Sequence, residues 1–153
     1  MPIHYGGFWR RLLACFIDIT ILYIFSTALF AAWVAMALSP AESHEYFILS
    51  KTPQEILTGI LLPYYGISVL LKMTYFTYFH GTLGQTPGKK LLGLKVIEIN
   101  GEEMTLGLAF LRWVGYILSK LPLFLGFIWI GIDGRKQGWH DKIAGTCVIR
   151  TKG

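Results

Sequence analysis

The chain has 153 residues, of which 54% are hydrophobic and only 15% are charged, and its formal net charge is +5. Soluble domains carry about 25% charged residues, so this composition, with a mean hydropathy of +0.51, favours a membrane protein of one domain. In membrane proteins, excess lysine and arginine mark the cytoplasmic side. The positive charge therefore does not indicate nucleic-acid binding. The two cysteines, Cys15 and Cys147, are expected to be free thiols.

The first apolar run covers residues 12–38 and contains one charge, Asp18. About 20 apolar residues span a bilayer, whereas a signal-peptide core has about 7–15, so we expect a retained transmembrane helix. Arg11 stands seven residues before Asp18, which is close to two helical turns, so both side chains project from nearly the same face. A carboxylate within the bilayer costs roughly 2.5–3.5 kcal/mol. We therefore expect Asp18 either to pair with another group or to have a functional role.

The second apolar run covers residues 56–79, with Lys72 as its only charge and with Pro63 predicted to kink the helix. Residues 39–55, between the two runs, are poor in lysine and arginine and are predicted to face outward. Residues 80–105 are polar and contain lysines, so this segment and the N-terminus are predicted to face the cytoplasm.

The third apolar region covers residues 106–132 and is interrupted at Pro122. Two arrangements are open for it. Helices over about 106–119 and 121–132 would form a re-entrant or shallow hairpin with a cytoplasmic tail, whereas a single crossing would place the tail outside. We favour the hairpin, because the tail carries five lysine and arginine residues, which belong on the cytoplasmic side.

Two short segments predict a small β element. Residues 94–99 are rich in β-forming types and precede Asn100-Gly101, a hairpin signal, and residues 146–150 are of the same type. These segments can pair only if the tail is cytoplasmic, so their pairing would support the hairpin. The predicted fold is one mainly α-helical integral membrane domain, residues 1–153. It has two full transmembrane helices, a short helical hairpin and a small cytoplasmic β element.

Four segments of the chain carry a family resemblance. They are Arg11 with Asp18, residues 84–96 (GQTPGKKLLGLKV), residues 111–113 (LRW) and residues 138–148 (GWHDKIAGTCV). Together they resemble the RDD family of small bacterial membrane proteins, named for an arginine and two aspartates, which match Arg11, Asp18 and Asp141 here. Pro87 departs from the pattern, where a more helix-compatible residue is expected. The resemblance covers nearly the whole chain and implies a multi-pass protein of the bacterial cytoplasmic membrane. Transport of ions or unidentified ligands has been suggested for that family.

Asp18 and Lys72 are predicted to lie at about the same depth in two antiparallel helices. They would form either a pair that responds to protons or cations, or a permanent ion pair that locks the helices. We favour the permanent pair, because removing one partner strands a buried charge. Arg11 is interpreted as an interfacial anchor rather than a site for an anionic substrate or a lipid headgroup.

Asp141 is predicted either to cap a short helix over about 142–144 or to pair with Arg112 or Arg11. Arg112 also shares one helical face with Tyr116 and Ser119. This face would line a polar path, contact the cytoplasmic sheet or lie at the membrane interface. We slightly favour the interface.

Lys89 and Lys90 are predicted to face anionic lipid headgroups. Around them, Gly84, Gly88 and Gly93 are interpreted as residues that permit tight turns. The segment is not a Walker A phosphate loop, because the first glycine and the final serine or threonine of that motif are absent.

The sequence contains no acid–base–nucleophile cluster and no metal-ligand spacing, so we expect no enzymatic activity, no cofactor and no metal site. We favour transport of ions or small solutes, linked to protons or cations, by an oligomer. The alternative is an accessory or assembly subunit of a larger membrane complex. Expected partners are membrane lipids and further protein subunits, without nucleic acid. Thr27, Ala31 and Ala35 recur every four residues, and such small residues allow another helix to approach closely.

Overall fold

The computed structural model describes residues 4–37 and 52–151. Its elements in chain order are α1 (Phe8–Ala37), α2 (Pro53–Leu83), α3 (Pro87–Leu91), β1 (Leu94–Glu98), α4 (Leu106–Lys120), α5 (Leu125–Ile132), α6 (Trp139–Ile143) and β2 (Thr146–Arg150). The chain divides into two compact units. The first unit comprises the described residues of Met1–Thr20 and Met73–Gly153, and the second comprises those of Ile21–Lys72.

The two long helices match the two predicted spans. α1 has 30 residues and α2 has 31, so each is about 45 Å long at 1.5 Å per residue, more than the roughly 30 Å of a hydrocarbon core. By length and composition, both are able to cross a membrane. α2 continues through Pro63 without ending there. The predicted outward-facing loop, residues 39–55, lies outside the described residues apart from 52–55.

The third apolar region is divided into two helices, as its proline predicted. α4 and α5 are bent from each other by 100°. Between them, Leu123 and Phe124 adopt left-handed backbone angles (φ 50° and 62°), which residues other than glycine seldom adopt. α5 begins at Leu125 rather than at residue 121, because Pro122 and these two residues form the turn. Gly126 permits the close packing of the two helices, since an added Cβ there would lie 2.7 Å from the Cα atom of Ser119.

The predicted β pairing is confirmed. β1 and β2 are antiparallel, with Val96 opposite Val148, and Tyr5 adds an isolated bridge to Ile149 beside β2. Asn100-Gly101 forms a turn, but the strand that pairs with β1 comes from the tail. The core of the first unit lies against this sheet. Its buried members are Ala14, Leu94, Val96, Met104, Ala109 and Val148.

The close approach of α4 and α5 can be tested at Gly126. We expect Gly126→Ala to lower the free energy of unfolding by roughly 1–3 kcal/mol, because the new methyl group overpacks the contact with Ser119. Thermal unfolding in detergent micelles measures the change. Gly131→Ala in the same helix is the matched control, since no atom lies within 4 Å of its added Cβ. Equal effects of the two substitutions would contradict this packing.

Candidate functional site

Arg11 lies in the first turn of α1 and is buried, with 7% of its surface exposed. Its Nη1 lies 2.6 Å from Oδ2 of Asp141. Its Nε donates to the carbonyl oxygen of Gly6 at 2.9 Å, and its Nη2 donates to that of Val148 at 3.4 Å. Arg11 is thus bound by protein groups within the first unit, and its position at the membrane interface stays a prediction. This side chain joins the start of α1 to β2 and α6, because a buried guanidinium has five donors that need acceptors.

Asp141 lies in α6 between two guanidinium groups. Nη1 of Arg112 is 2.6 Å from its Oδ1, opposite the contact with Arg11, and the backbone N–H of Gly138 donates to its Oδ2 at 2.9 Å. The carboxylate thus both caps α6, which spans Trp139–Ile143 rather than 142–144, and pairs with both arginines. Burial alone would raise the pKa of Asp141, but Arg112 and Arg11 hold it well below its usual range.

The polar face of α4 packs against α6 and the start of β2. Arg112 Nη1 donates to Oγ1 of Thr146 at 2.5 Å, Ser119 Oγ lies 3.3 Å from Nδ1 of His140, and the Tyr116 ring centroid lies 4.6 Å from that of His140. Arg112 and Ser119 are buried. Of the three predicted roles for this face, a contact with the sheet and tail is the one observed, and the preferred position of the helix at the membrane interface stays a prediction.

His140 has a polar neighbour on each ring nitrogen. Its Nε2 lies 3.5 Å from Oδ1 of Asp141. Burial lowers the pKa of His140 to about 3, although Asp141 opposes the shift. The imidazole is therefore neutral at pH 7. Its contact with Asp141 is a polar contact, and the two arginines supply the charge that balances this carboxylate.

Asp18 has a separate set of partners, all of them neutral. Oδ1 accepts from the hydroxyl group of Tyr75 at 2.9 Å and from the backbone N–H of Gly88 at 2.8 Å. Oδ2 accepts from Oγ1 of Thr86 at 2.5 Å. The side chain is 1% exposed. Lys72 is not among these donors. It belongs to the other compact unit, so its pairing with Asp18 stays a prediction.

The contacts of Asp18 explain three residues in the motif at 84–96. Thr86 is the N-cap of α3, and Pro87 occupies the first helical position, where proline is favoured, so Pro87 is compatible with the helix after all. Gly88 is helical rather than part of a turn. An added Cβ there would lie 2.9 Å from Oδ1 of Asp18, so glycine is required for the close approach. Gly84 and Gly93 do have positive φ angles, in accord with the predicted turns.

Lys89 is buried, with 7% of its surface exposed, so the prediction that it faces lipid headgroups is wrong. Its Nζ lies 2.5 Å from Nε2 of His80. Burial, reinforced by the positive charge of Arg112, lowers the pKa of Lys89 to about 7, although Asp18 opposes the shift. The neighbouring Lys90 is exposed, and its contact with lipid headgroups stays a prediction.

The first unit therefore contains two buried carboxylates, each with its own partners. Four partners of buried charges were not predicted from the sequence, namely Tyr75, Thr86, Gly88 and His80. The Thr-Pro start of α3 was a recognisable helix-start signal that could have drawn attention to this segment. Among the residues that the structure describes, no group of three or more histidine, cysteine, aspartate or glutamate side chains could hold a metal ion.

The sequence pattern of the RDD family matches residues 5–145, nearly the whole chain. The chain belongs to the RDD family. It is 34% identical to the uncharacterized protein YxaI of Bacillus subtilis, over 94% of this chain and 96% of that protein. It is 31% identical to the uncharacterized protein RP437 of Rickettsia prowazekii, over 72% and 61% of the two chains.

A further relative is described as a membrane protein. The chain is 26% identical to the uncharacterized membrane protein YteJ of Bacillus subtilis, over 97% of this chain and 82% of that protein. No solved structure matches the chain. The three residues that match the family name have different direct partners in this RDD protein. Arg11 and Asp141 are in contact, whereas Asp18 binds the segment that begins α3.

The double ion pair of Asp141 can be tested with Asp141→Asn. We expect the free energy of unfolding to fall by roughly 3–5 kcal/mol, because the substitution leaves two buried guanidinium groups without a compensating charge. Thermal unfolding in detergent micelles measures the loss.

Glu103→Gln is the matched control, because Glu103 also pairs with a cation, Lys95 at 3.0 Å, but with 85% of its side chain exposed. We expect a loss of less than about 1 kcal/mol there. If the two variants were equally stable, Asp141 would not have the structural role that its contacts indicate.

Proposed function

We propose that this RDD protein is a multi-pass protein of the bacterial cytoplasmic membrane, with both ends of its described chain on the cytoplasmic side. α1 and α2 cross the bilayer. The region between β1 and β2 starts and ends on one side, because the two strands pair. α4 and α5 have 15 and 8 residues, or about 22 and 12 Å, each less than the roughly 30 Å of a hydrocarbon core. These lengths support a shallow or re-entrant hairpin.

The proposed topology can be tested with reporter fusions. A fluorescent protein that matures only in the cytoplasm, fused after residue 153, is expected to fluoresce, because β2 pairs with β1 on that side. A phosphatase that is active only outside the cytoplasm is expected to be inactive at the same position and active when inserted within residues 39–51. Phosphatase activity at the C-terminal fusion would contradict the hairpin and favour a third crossing.

The function that we propose for this protein is the movement of protons, other cations or small solutes across the membrane. The arrangement of Asp18 carries this proposal. A carboxylate within an apolar helix lies within 3 Å of two hydroxyl oxygens, those of Tyr75 and Thr86. Carboxylate and hydroxyl oxygens are ligands for small hard cations, and an ionisable residue at membrane depth is a functional candidate by default. Among the described residues, neutral donors rather than a cation contact this carboxylate directly, which leaves its charge available to a mobile cation or a proton.

Transport by this chain would require several copies. In the second unit, an open depression of about 600 Å³ lies along the first turns of α2. A smaller cavity of about 20 Å³, which is room for about one water molecule, lies between α1 and α2. Its lining residues are Ser26, Leu29, Phe30, Trp33, Tyr64, Ile67 and Ser68. Thr27, Ala31 and Ala35 are exposed on α1, where small residues allow a second helix to pack closely. The proposed transporter is therefore an oligomer, and it is not an enzyme.

Flux measurements on reconstituted protein test the proposal. Purified protein in liposomes is expected to dissipate an imposed gradient of protons or monovalent cations, followed with ion-sensitive dyes. Asp18→Asn is expected to lose at least nine-tenths of this flux, because it removes the charge and replaces one acceptor oxygen with a donor. Glu103→Gln is the matched control, since that carboxylate is exposed and pairs with Lys95 outside the site. Unchanged flux in Asp18→Asn would exclude Asp18 as an ion-binding residue.

A second candidate function is that of an accessory or assembly subunit in a larger membrane complex. It is favoured by the contacts of Arg11 and Asp141, which bind protein groups throughout. Such a subunit would use α1 and α2 as packing surfaces. Purification in mild detergent followed by mass spectrometry distinguishes the two candidates. A stoichiometric partner together with absence of flux would favour the accessory role, and flux from the pure protein would favour transport.

A further inference from the structure

The first unit buries more positive than negative charge. Its buried lysine, arginine and aspartate side chains are Arg11, Lys89, Arg112, Asp18 and Asp141. These five residues, here called the buried charge cluster, comprise three cations and two carboxylates, an excess of one positive charge. An unbalanced buried charge is unfavourable, because the interior solvates it poorly. If one of the three cations releases its proton, the buried charge cluster becomes neutral.

Lys89 is the cation of the cluster that can do so. Arginine keeps its proton at any accessible pH, and Arg11 and Arg112 are both held by Asp141. Lys89 makes no ion pair among the described residues. Its Nζ instead contacts an imidazole nitrogen, Nε2 of His80, at 2.5 Å, and His80 is 0% exposed. Two positive charges at this distance repel each other strongly, so the pair holds one positive charge or none.

We propose that Lys89 and His80 form a buried proton-binding site, which holds one exchangeable proton and changes the net charge of the buried charge cluster between +1 and zero. In the protonated form, the ammonium group of Lys89 donates to Nε2 of His80. After the proton leaves, the contact joins two neutral groups. The ligand of this site is a proton, and its binding does not depend on whether the protein transports ions.

The groups that face Lys89 come from every element around it. They are His80 of α2, Asp18 and Cys15 of α1, Arg112 of α4, and His140 and Asp141 of α6. Burial and the charge of Arg112 disfavour the ammonium form, and the two carboxylates favour it. The balance lowers the pKa of Lys89 to about 7.

The proton site is coupled to the contact of α3 with α1. Lys89 follows Gly88, whose N–H donates to Asp18, and its own N–H donates to the hydroxyl group of Thr86 at 3.3 Å. Asp18 attracts the ammonium form of Lys89. Loss of the proton removes this attraction. A rise in pH through neutrality is therefore expected to weaken the contact between α3 and Asp18 of α1.

The direct test is an NMR titration of the full chain in detergent micelles, with lysine labelled at Cε and histidine labelled at the ring nitrogens. We expect one lysine signal with a midpoint near pH 7, whereas ordinary lysines titrate at about 10.4. A nitrogen signal of His80 is expected to move with the same midpoint, because its hydrogen bond changes when the lysine loses its proton. Lys89→Met removes both transitions, and Lys90→Met, the adjacent exposed lysine, retains them.

Two results would overturn the proposal. One is that every lysine signal of the wild-type protein titrates above pH 9. The other is that the His80 transition persists in Lys89→Met. The wild-type and Lys90→Met titrations decide the question even if Lys89→Met fails to fold. Since the flux assay is a separate measurement, a failed titration and a failed transport proposal are distinguishable.

A second measurement uses the pH dependence of stability. Unfolded lysine keeps its proton up to about pH 10.4, so between about pH 7 and 10 the unfolded chain binds more protons at this residue than the folded chain, and stability rises with pH. The unfolding temperature is therefore expected to rise more between pH 7 and 9 in Lys90→Met than in Lys89→Met. Equal slopes would contradict a titrating Lys89.

Discussion

The first unit depends on one carboxylate held between two arginines. Asp141 lies in a helix of five residues, α6, which is too short to be stable by itself. Its two oxygens contact Arg11 of α1 and Arg112 of α4 at 2.6 Å each, so one side chain fixes three helices that are far apart in sequence. Any packing that separated this carboxylate from its partners would leave buried charges uncompensated, which is strongly unfavourable. The geometry therefore favours a single arrangement of these helices.

The second carboxylate performs the same task with neutral donors. Asp18 lies about two turns after Arg11 on α1. Hydrogen bonds from Thr86 and Gly88 to its carboxylate hold the start of α3 against this helix. Thr86 both donates to the carboxylate and accepts from Lys89 as an N-cap, so the local helix start and the tertiary contact use one hydroxyl group. α1 thus has one anchor on the tail and another on the segment that follows α2. Together they explain why the chain retains charges in an otherwise apolar helix.

The two proposed functions assign different roles to the contacts of Asp141 and Asp18. If the protein moves ions, the neutral surroundings of Asp18 leave its charge available to a mobile cation, and the proton of Lys89 offers a means by which pH acts on the same segment. If the protein is an accessory subunit, these contacts hold the first unit in one rigid arrangement. Both functions require the same buried groups, so measurements of stability and of titration apply to either.

The sequence by itself determined the long helices, the break in the third apolar region, the two strands and the family. Long apolar runs predicted α1 and α2, Pro122 predicted the break between α4 and α5, and two β-rich segments predicted the pairing of β1 with β2. These features follow from local composition and from residues with restricted backbones. The motifs around Arg11, Asp18 and Asp141 were sufficient to recognise the RDD family.

Only the tertiary structure decided which groups are partners. Lys89 and Lys90 are chemically alike and adjacent, yet one is buried against His80 and the other is exposed, because α3 turns only one of them toward the unit. Arg11 is buried against protein groups, and two of its three acceptors, Asp141 and Val148, lie more than 100 positions away in the sequence. Burial and pairing depend on contacts between distant segments, and a linear sequence states which charges exist without stating which of them meet.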